Sequence, residues 1–98
     1  MKKGLNVGAI TQGAFDEYIK SYIDTKEYDT PIKTCNTVIE KSLPLTIINP
    51  QVKPQTAYFY SKRAELKFHK GDYRGAIADS NEAENLSNAF SLSISIEG

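Results

Sequence analysis

Ninety-eight residues allow one domain, and a 40% hydrophobic content supplies a modest core with a small margin of stability. Twelve basic and twelve acidic residues cancel, so no net field gathers nucleic acid or an anionic membrane, and the electrostatic expectation is a protein or small-molecule partner. Cys35 has no second cysteine to pair with, so stability rests on packing and suits a reducing compartment. The start MKKGLNVGAITQG is too short in apolar run and too broken by glycine for a signal peptide, and no segment approaches membrane-spanning length. The expectation is a cytoplasmic chain with no membrane partner.

Residues 1–13 contain three glycines and no sustained period, which predicts an irregular N-terminal arm. In AFDEYIKSYID, Phe15, Tyr18, Ile19, Tyr22 and Ile23 recur at spacings of three and four, one apolar stripe on a helix whose other side carries Asp16, Glu17 and Lys20. After the link TKEYD a second helix is expected, capped by Thr30, with Pro31 at its first position and a stripe of Ile32, Cys35, Val38 and Ile39. These two form a helix pair over 14–42.

Three prolines within eleven residues predict an extended connector over 43–53, anchored by Ile47 and Ile48. A third helix starts near Pro54 and stops at Gly71, with Ala57, Tyr60, Ala64 and Phe68 in one apolar row and Phe59 with Leu66 in another. Asp72 then caps a fourth helix whose buried row is expected to be Tyr73, Ala76, Ile77, Ser80 and Ala83, completing a second pair over 54–87. The tail 88–98 alternates serine with Leu92, Ile94 and Ile96, locally the pattern of an edge strand.

A shift of forty-five places matches Phe15 with Tyr60, Ile19 with Ala64, Tyr28 with Tyr73, Ile32 with Ile77 and Val38 with Ala83. On this repeat, and on the stretch HKGDYRGAIADSNEA, the chain resembles the tetratricopeptide repeat family, built from helix-turn-helix units of about 34 residues. Tyr60, Ala64, Ala76 and Ala83 comply with the family pattern. Arg63 stands at its leucine place, Lys67 and Ser80 at aromatic places, and Asn88 at the closing proline. The first copy keeps Phe15, Tyr18 and Tyr22 but sets Ile19 and Pro31 at small-residue places, so its two helices should pack less regularly. The resemblance implies an all-α chain of antiparallel helix pairs stacked as a short superhelix. Counting 34 residues from Tyr60 reaches Ile94, so the repeat reads the tail as the start of a truncated third unit, a capping helix, and that reading is preferred to the strand.

No phosphate-cradling glycine loop, zinc-type His-Glu-x-x-His, paired Cys-x-x-Cys or nucleophile elbow occurs in the sequence. Cys35 is expected on a buried row and His69 on an exposed turn, which disfavours a Cys-His dyad. Neither a catalytic residue, a metal site nor a cofactor is predicted. The six tyrosines, with Lys62 and Arg63, could stack bases, but zero net charge and Glu65 beside the basic pair disfavour nucleic acid.

What the resemblance implies instead is a concave face made by the first helix of each unit, contributing Asp16, Lys20 and Ile23 from one copy and Tyr58, Ser61, Lys62, Glu65 and Phe68 from the other. Asp16, Glu17 and Glu65 would repel an acidic peptide tail, so a mixed or basic partner fits better. The chain is therefore expected to be a non-catalytic protein-interaction module, an adaptor that offers a groove to a peptide or protein segment. Two competing readings remain: a homodimer assembled through the last helix and tail, around Leu86, Phe90, Leu92 and Ile94, and a regulatory fragment of a larger hydrolase or transferase.

Overall fold

The computed structural model describes the backbone of residues 12–97 and the side chains of residues 13–87. The expected arm over 1–13 lies almost wholly outside the described residues. Those that are described form an all-α chain with no strand among them. Its order is α1 (Gln12–Asp24), α2 (Asp29–Ser42), a single turn α3 (Leu45–Ile48), a 3-10 turn (Pro50–Val52), α4 (Lys53–Lys70) and α5 (Tyr73–Glu97).

Helix α4 is the centre of the packing. It lies most extensively along α5, next along α2, and touches α1 only sparingly, while α1 and α2 also meet over a small area. The first pair is thus the looser one, as Ile19 and Pro31 at small-residue places lead one to expect. Phe15, Ile19, Cys35, Val38, Ile39, Ala57, Phe59, Tyr60, Leu66 and Ala83 make one continuous core. Phe15 and Phe59 meet edge to face with centroids 4.9 Å apart, which joins α1 to α4 through an aromatic pair. Of the two rows expected on α4, Ala57, Tyr60, Ala64, Phe59 and Leu66 are all buried.

Both long turns use the same stop. After α4, Gly71 takes a left-handed conformation (φ 94°), and the N–H groups of Gly71 and Asp72 donate to the carbonyls of Phe68 (3.1 Å) and Lys67 (2.8 Å). After α1, Lys26 takes the same conformation (φ 60°), with Lys26 and Glu27 donating to Ile23 (3.0 Å) and Tyr22 (2.9 Å). Lys26 precedes Gly71 by the forty-five residues of the internal repeat, so backbone geometry repeats where side-chain identity does not. Asp72 caps α5 as expected, its Oδ1 accepting from the Gly75 N–H at 3.0 Å.

Four expectations need correction. Helix α2 begins one residue before Thr30, and Tyr28 occupies its cap position with no side-chain bond, the Tyr28 carbonyl accepting from Ile32 N–H instead. Pro31 lies inside the first turn and is fully buried. The connector is coiled into α3 and the 3-10 turn rather than extended, because Pro44 and Pro50 each fit the start of a short helical turn. Ile47 and Ile48 are 86% and 82% exposed, so they anchor nothing. The anchor is polar: Thr46 is buried with its hydroxyl donating to the Leu43 carbonyl (2.6 Å), and nearby Thr56 donates to Ser42 Oγ at 2.9 Å in the buried joint between α2 and α4.

The fourth correction concerns α5. Its buried row is Ala76, Asp79 and Ala83, while Tyr73, Ile77 and Ser80 are exposed. The tail is helical, but as an uninterrupted continuation of α5 through Glu97 rather than as a new helix. Asn88, at the place where the repeat pattern sets a proline, leaves the backbone N–H series unbroken, so nothing ends the helix there. The side chains of Phe90, Leu92 and Ile94 lie outside the described residues.

Replacing Lys26 with glycine should raise stability by about 0.5 kcal/mol, the left-handed penalty relieved less the extra unfolded-state freedom of glycine. Gly71→Ala should lower it by about 1 kcal/mol. Thermal unfolding reads both, at about 4–8 °C per kcal/mol for a domain of this size. Equal melting temperatures for all three chains would mean that the two turns are not held as described.

Candidate functional site: two surfaces on helix α4

Helix α4 sends side chains to two different surfaces because it has neighbours on both sides. Toward α1, the Tyr58 hydroxyl donates to Asp16 Oδ1 at 2.6 Å, and Lys62 Nζ reaches the same oxygen at 2.9 Å and Glu65 Oε1 at 3.6 Å. Lys62 also lies 5.4 Å above the centre of the Tyr58 ring. The Asp16 carboxyl is held below its ordinary range, first by the Tyr58 hydrogen bond and then by Lys62. Burial, and then the bond to Asp16, push the Tyr58 phenol up. Asp16, Tyr58 and Lys62, three of the eight expected groove residues, thus engage one another between α1 and α4, and Glu65, a fourth, pairs with Lys62 along α4.

Toward α5, the helix opens a groove of about 510 Å³. Ser61, Glu65 and Phe68 form its α4 wall, Tyr73, Ile77 and Asn81 its α5 wall, and the small side chains Ala64 and Ala76 its floor. Phe68 and Tyr73 meet edge to face at 5.4 Å. Phe68, Tyr73 and Ile77 remain 59%, 59% and 61% exposed, which gives the groove an apolar lining open to a ligand. Of the other two expected residues, Ile23 packs on the flank of the core and Lys20 is exposed on α1. The structure therefore does not gather the eight on one wall.

The feature that sequence reasoning missed lies in the joint of α4 with α5 and α2. Asp79 is 3% exposed and accepts a two-pronged bond from Arg63, Nε to Oδ2 at 2.8 Å and Nη2 to Oδ1 at 2.7 Å, with Lys67 Nζ 3.0 Å from Oδ2. Arg63 Nη1 donates onward to Asn36 Oδ1 on α2 at 2.8 Å, and its guanidinium lies 5.1 Å above the Tyr60 ring. Burial by itself would push the Asp79 carboxyl up, but the hydrogen bonds and charges of Arg63 and Lys67 outweigh it and hold the carboxyl below the ordinary 3.8. Arg63 and Lys67 were the two basic residues at apolar places of the repeat. An acid at Asp79 on the facing helix α5, three residues after Ala76 in its small-residue row, was the signal that could have paired them.

Cys35 is fully buried and its thiol is pushed up to about 12, chiefly by burial, so it carries no thiolate at neutral pH. His69 lies elsewhere, its ring stacked on Tyr28 at 6.0 Å on the exposed turn. Among the described residues no cluster of His, Cys, Asp or Glu has the makeup of a metal site, and no helix is long and apolar enough to cross a membrane.

Removing Asp79 leaves two largely buried cations without their shared partner, so Asp79→Ala should cost about 3 kcal/mol. The triple change Arg63→Leu, Lys67→Met, Asp79→Leu should recover most of that loss, since apolar packing replaces the whole network. Denaturant titration distinguishes the two. Because the folded Asp79 value lies below the unfolded one, its contribution is complete above about pH 4 and is lost as pH falls through the folded value. The acid limb of the stability curve should accordingly be flatter in Asp79→Asn. A separate alkaline titration of tyrosine absorbance should find the last phenol to ionise moved back toward the ordinary range by Asp16→Asn.

Set against family models, curated proteins and solved structures, the chain finds no match in any of the three.

Proposed function

We propose that this chain is a non-catalytic interaction module of tetratricopeptide-like build that binds a polypeptide segment in the groove between α4 and α5. The observation that carries the reading is the groove itself: three large apolar side chains, about three-fifths exposed, around a floor of alanines that lets another backbone approach closely. The internal repeat and the pairing of α4 with α5 support the family reading; the lone buried thiol, which needs no oxidising compartment, supports work in the cytoplasm.

The site departs from the expected one in a way that matters for ligand choice. Asp16, Tyr58 and Lys62 neutralise each other across α1 and α4, so they offer little unmet charge to a ligand. Affinity would come from Phe68, Tyr73 and Ile77, with Glu65 and Asn81 at the rim setting register. Assembly with a second copy through the same apolar residues is the competing reading.

Selection of a displayed peptide library on the full chain should enrich ligands of micromolar affinity. Phe68→Ala or Ile77→Asp should weaken them at least about tenfold, the loss of one buried side chain worth roughly 1.5–3 kcal/mol. Both positions are exposed, so the variants should unfold at the wild-type temperature. Recovery of no ligand, or of ligands indifferent to both changes, sinks the reading.

A further inference from the structure

We infer that the occupant of the α4/α5 groove is an amphipathic helix of a partner polypeptide, seated parallel to α4, with an arginine or lysine opposite Asn81 and an acidic residue at its C-terminal end opposite Arg74. The inference rests on the groove reading above and names the kind of ligand that the groove accepts.

The internal repeat carries the argument. Moving the groove residues back by forty-five converts Ser61, Phe68, Tyr73, Ile77 and Asn81 into Asp16, Ile23, Tyr28, Ile32 and Asn36, and the floor residues Ala64 and Ala76 into Ile19 and Pro31. That first-copy surface is not open. Helix α4 lies over it, mainly along α2 and at points on α1: Tyr58 and Lys62 bond Asp16, Arg63 bonds Asn36, His69 stacks on Tyr28, and Lys70 Nζ meets Asp29 Oδ1 at 2.6 Å. Ile19 and Pro31 are fully buried there, and Ile23, Tyr28 and Ile32 are half-buried against the core. The second copy presents the corresponding surface with no described residue lying over it, and Phe68, Tyr73 and Ile77 are exposed there. An interface already formed once in the molecule thus defines the shape of the one left open, and a helix is what it was formed with.

The polar differences between the copies then set the chemistry of the occupant. Asn36 and Asn81 are the same residue at the same place, so a donor that plays the part of Arg63 fits there again. Asp29, which draws Lys70, is replaced by Arg74, so the end of the incoming helix needs the opposite sign. The order of the contacts along α4, from Asp16 at its start to Tyr28 and Asp29 at its end, fixes the direction: the occupant begins near Ser61 and ends over the turn at Gly71. A second copy of the chain is disfavoured, because its own α4, the helix with this pattern, is already buried in its first pair.

The probe is a helix-stabilised synthetic peptide with the α4 sequence, Lys53–Lys70, and a variant in which Lys70→Glu turns the final charge to suit Arg74. Titrated into the full chain, the peptide should bind saturably, lose about tenfold or more in affinity against Ile77→Asp, and bind roughly two- to fivefold tighter as the Lys70→Glu variant. Arg74→Glu in the protein should reverse that last preference. Binding that ignores Ile77→Asp would mean that the peptide displaces the chain's own α4, and overturns the inference. Groove-dependent ligands from the displayed library that tolerate proline throughout, and so bind extended, overturn the helix while leaving the groove reading intact. Groove-dependent dimerisation in sedimentation, with no peptide binding, overturns it in favour of a second copy.

Discussion

The structure depends on a carboxylate that has no water to dissolve it. Asp79 sits in the joint between α4 and α5, where an isolated charge would cost several kcal/mol, and it is stable there only because Arg63 supplies two aligned donors and Lys67 a third. Since Arg63 also reaches Asn36, the same network decides where α2 lies against α4. Three helices are held in one arrangement by groups with strict directions, whereas apolar packing alone would tolerate several crossing angles. Asp79 being a single acid between two bases, any register slip of α5 along α4 would leave at least one charge buried and unmatched.

That constraint explains a feature of the repeat that is otherwise awkward. In the second copy, Arg63 and Lys67 replace apolar residues, and a packing argument alone counts both as defects. Together with Asp79 they exchange nonspecific burial for directional bonding, and the joint is polar-satisfied: no buried side-chain nitrogen or oxygen among the described residues lacks a partner. At the first copy's joint the Tyr18 and Thr34 hydroxyls meet at 3.1 Å, and α1 and α2 share only a small area.

Helix α4 is consequently asymmetric in use. One side is committed to the first pair through aromatic contact, ion pairing and the Arg63 bridge; the other leans on α5 and leaves a groove. The bonds of Arg63 and Lys67 to Asp79 tie α4 to α5, the two helices that form the groove walls, and the smallness of Ala64 and Ala76 keeps the space between them open. A surface of that kind can bind without reorganising, which lowers the entropic cost of association.

Much of this was legible in the sequence because it is local. Three- and four-residue spacing announces helical faces, Gly71 and Asp72 announce the end of one helix and the start of the next, and the forty-five-residue shift announces that the chain is built twice. What periodicity cannot report is which face finds a cover. Tyr73 and Ile77 have the spacing of buried residues and are exposed, since cover depends on whether another helix stacks there, and among the described residues the first copy has such a helix and the second does not. Ile47 and Ile48 look like anchors and face solvent, while Thr46, by satisfying its own hydroxyl, is buried. Lys26 adopts a glycine conformation because the turn it occupies is imposed by the helices on either side, and Asp79 is buried because two bases from another helix arrive beside it. Each of these outcomes is settled between elements distant in sequence, where charge partners and stacked neighbours exist only once the chain has folded.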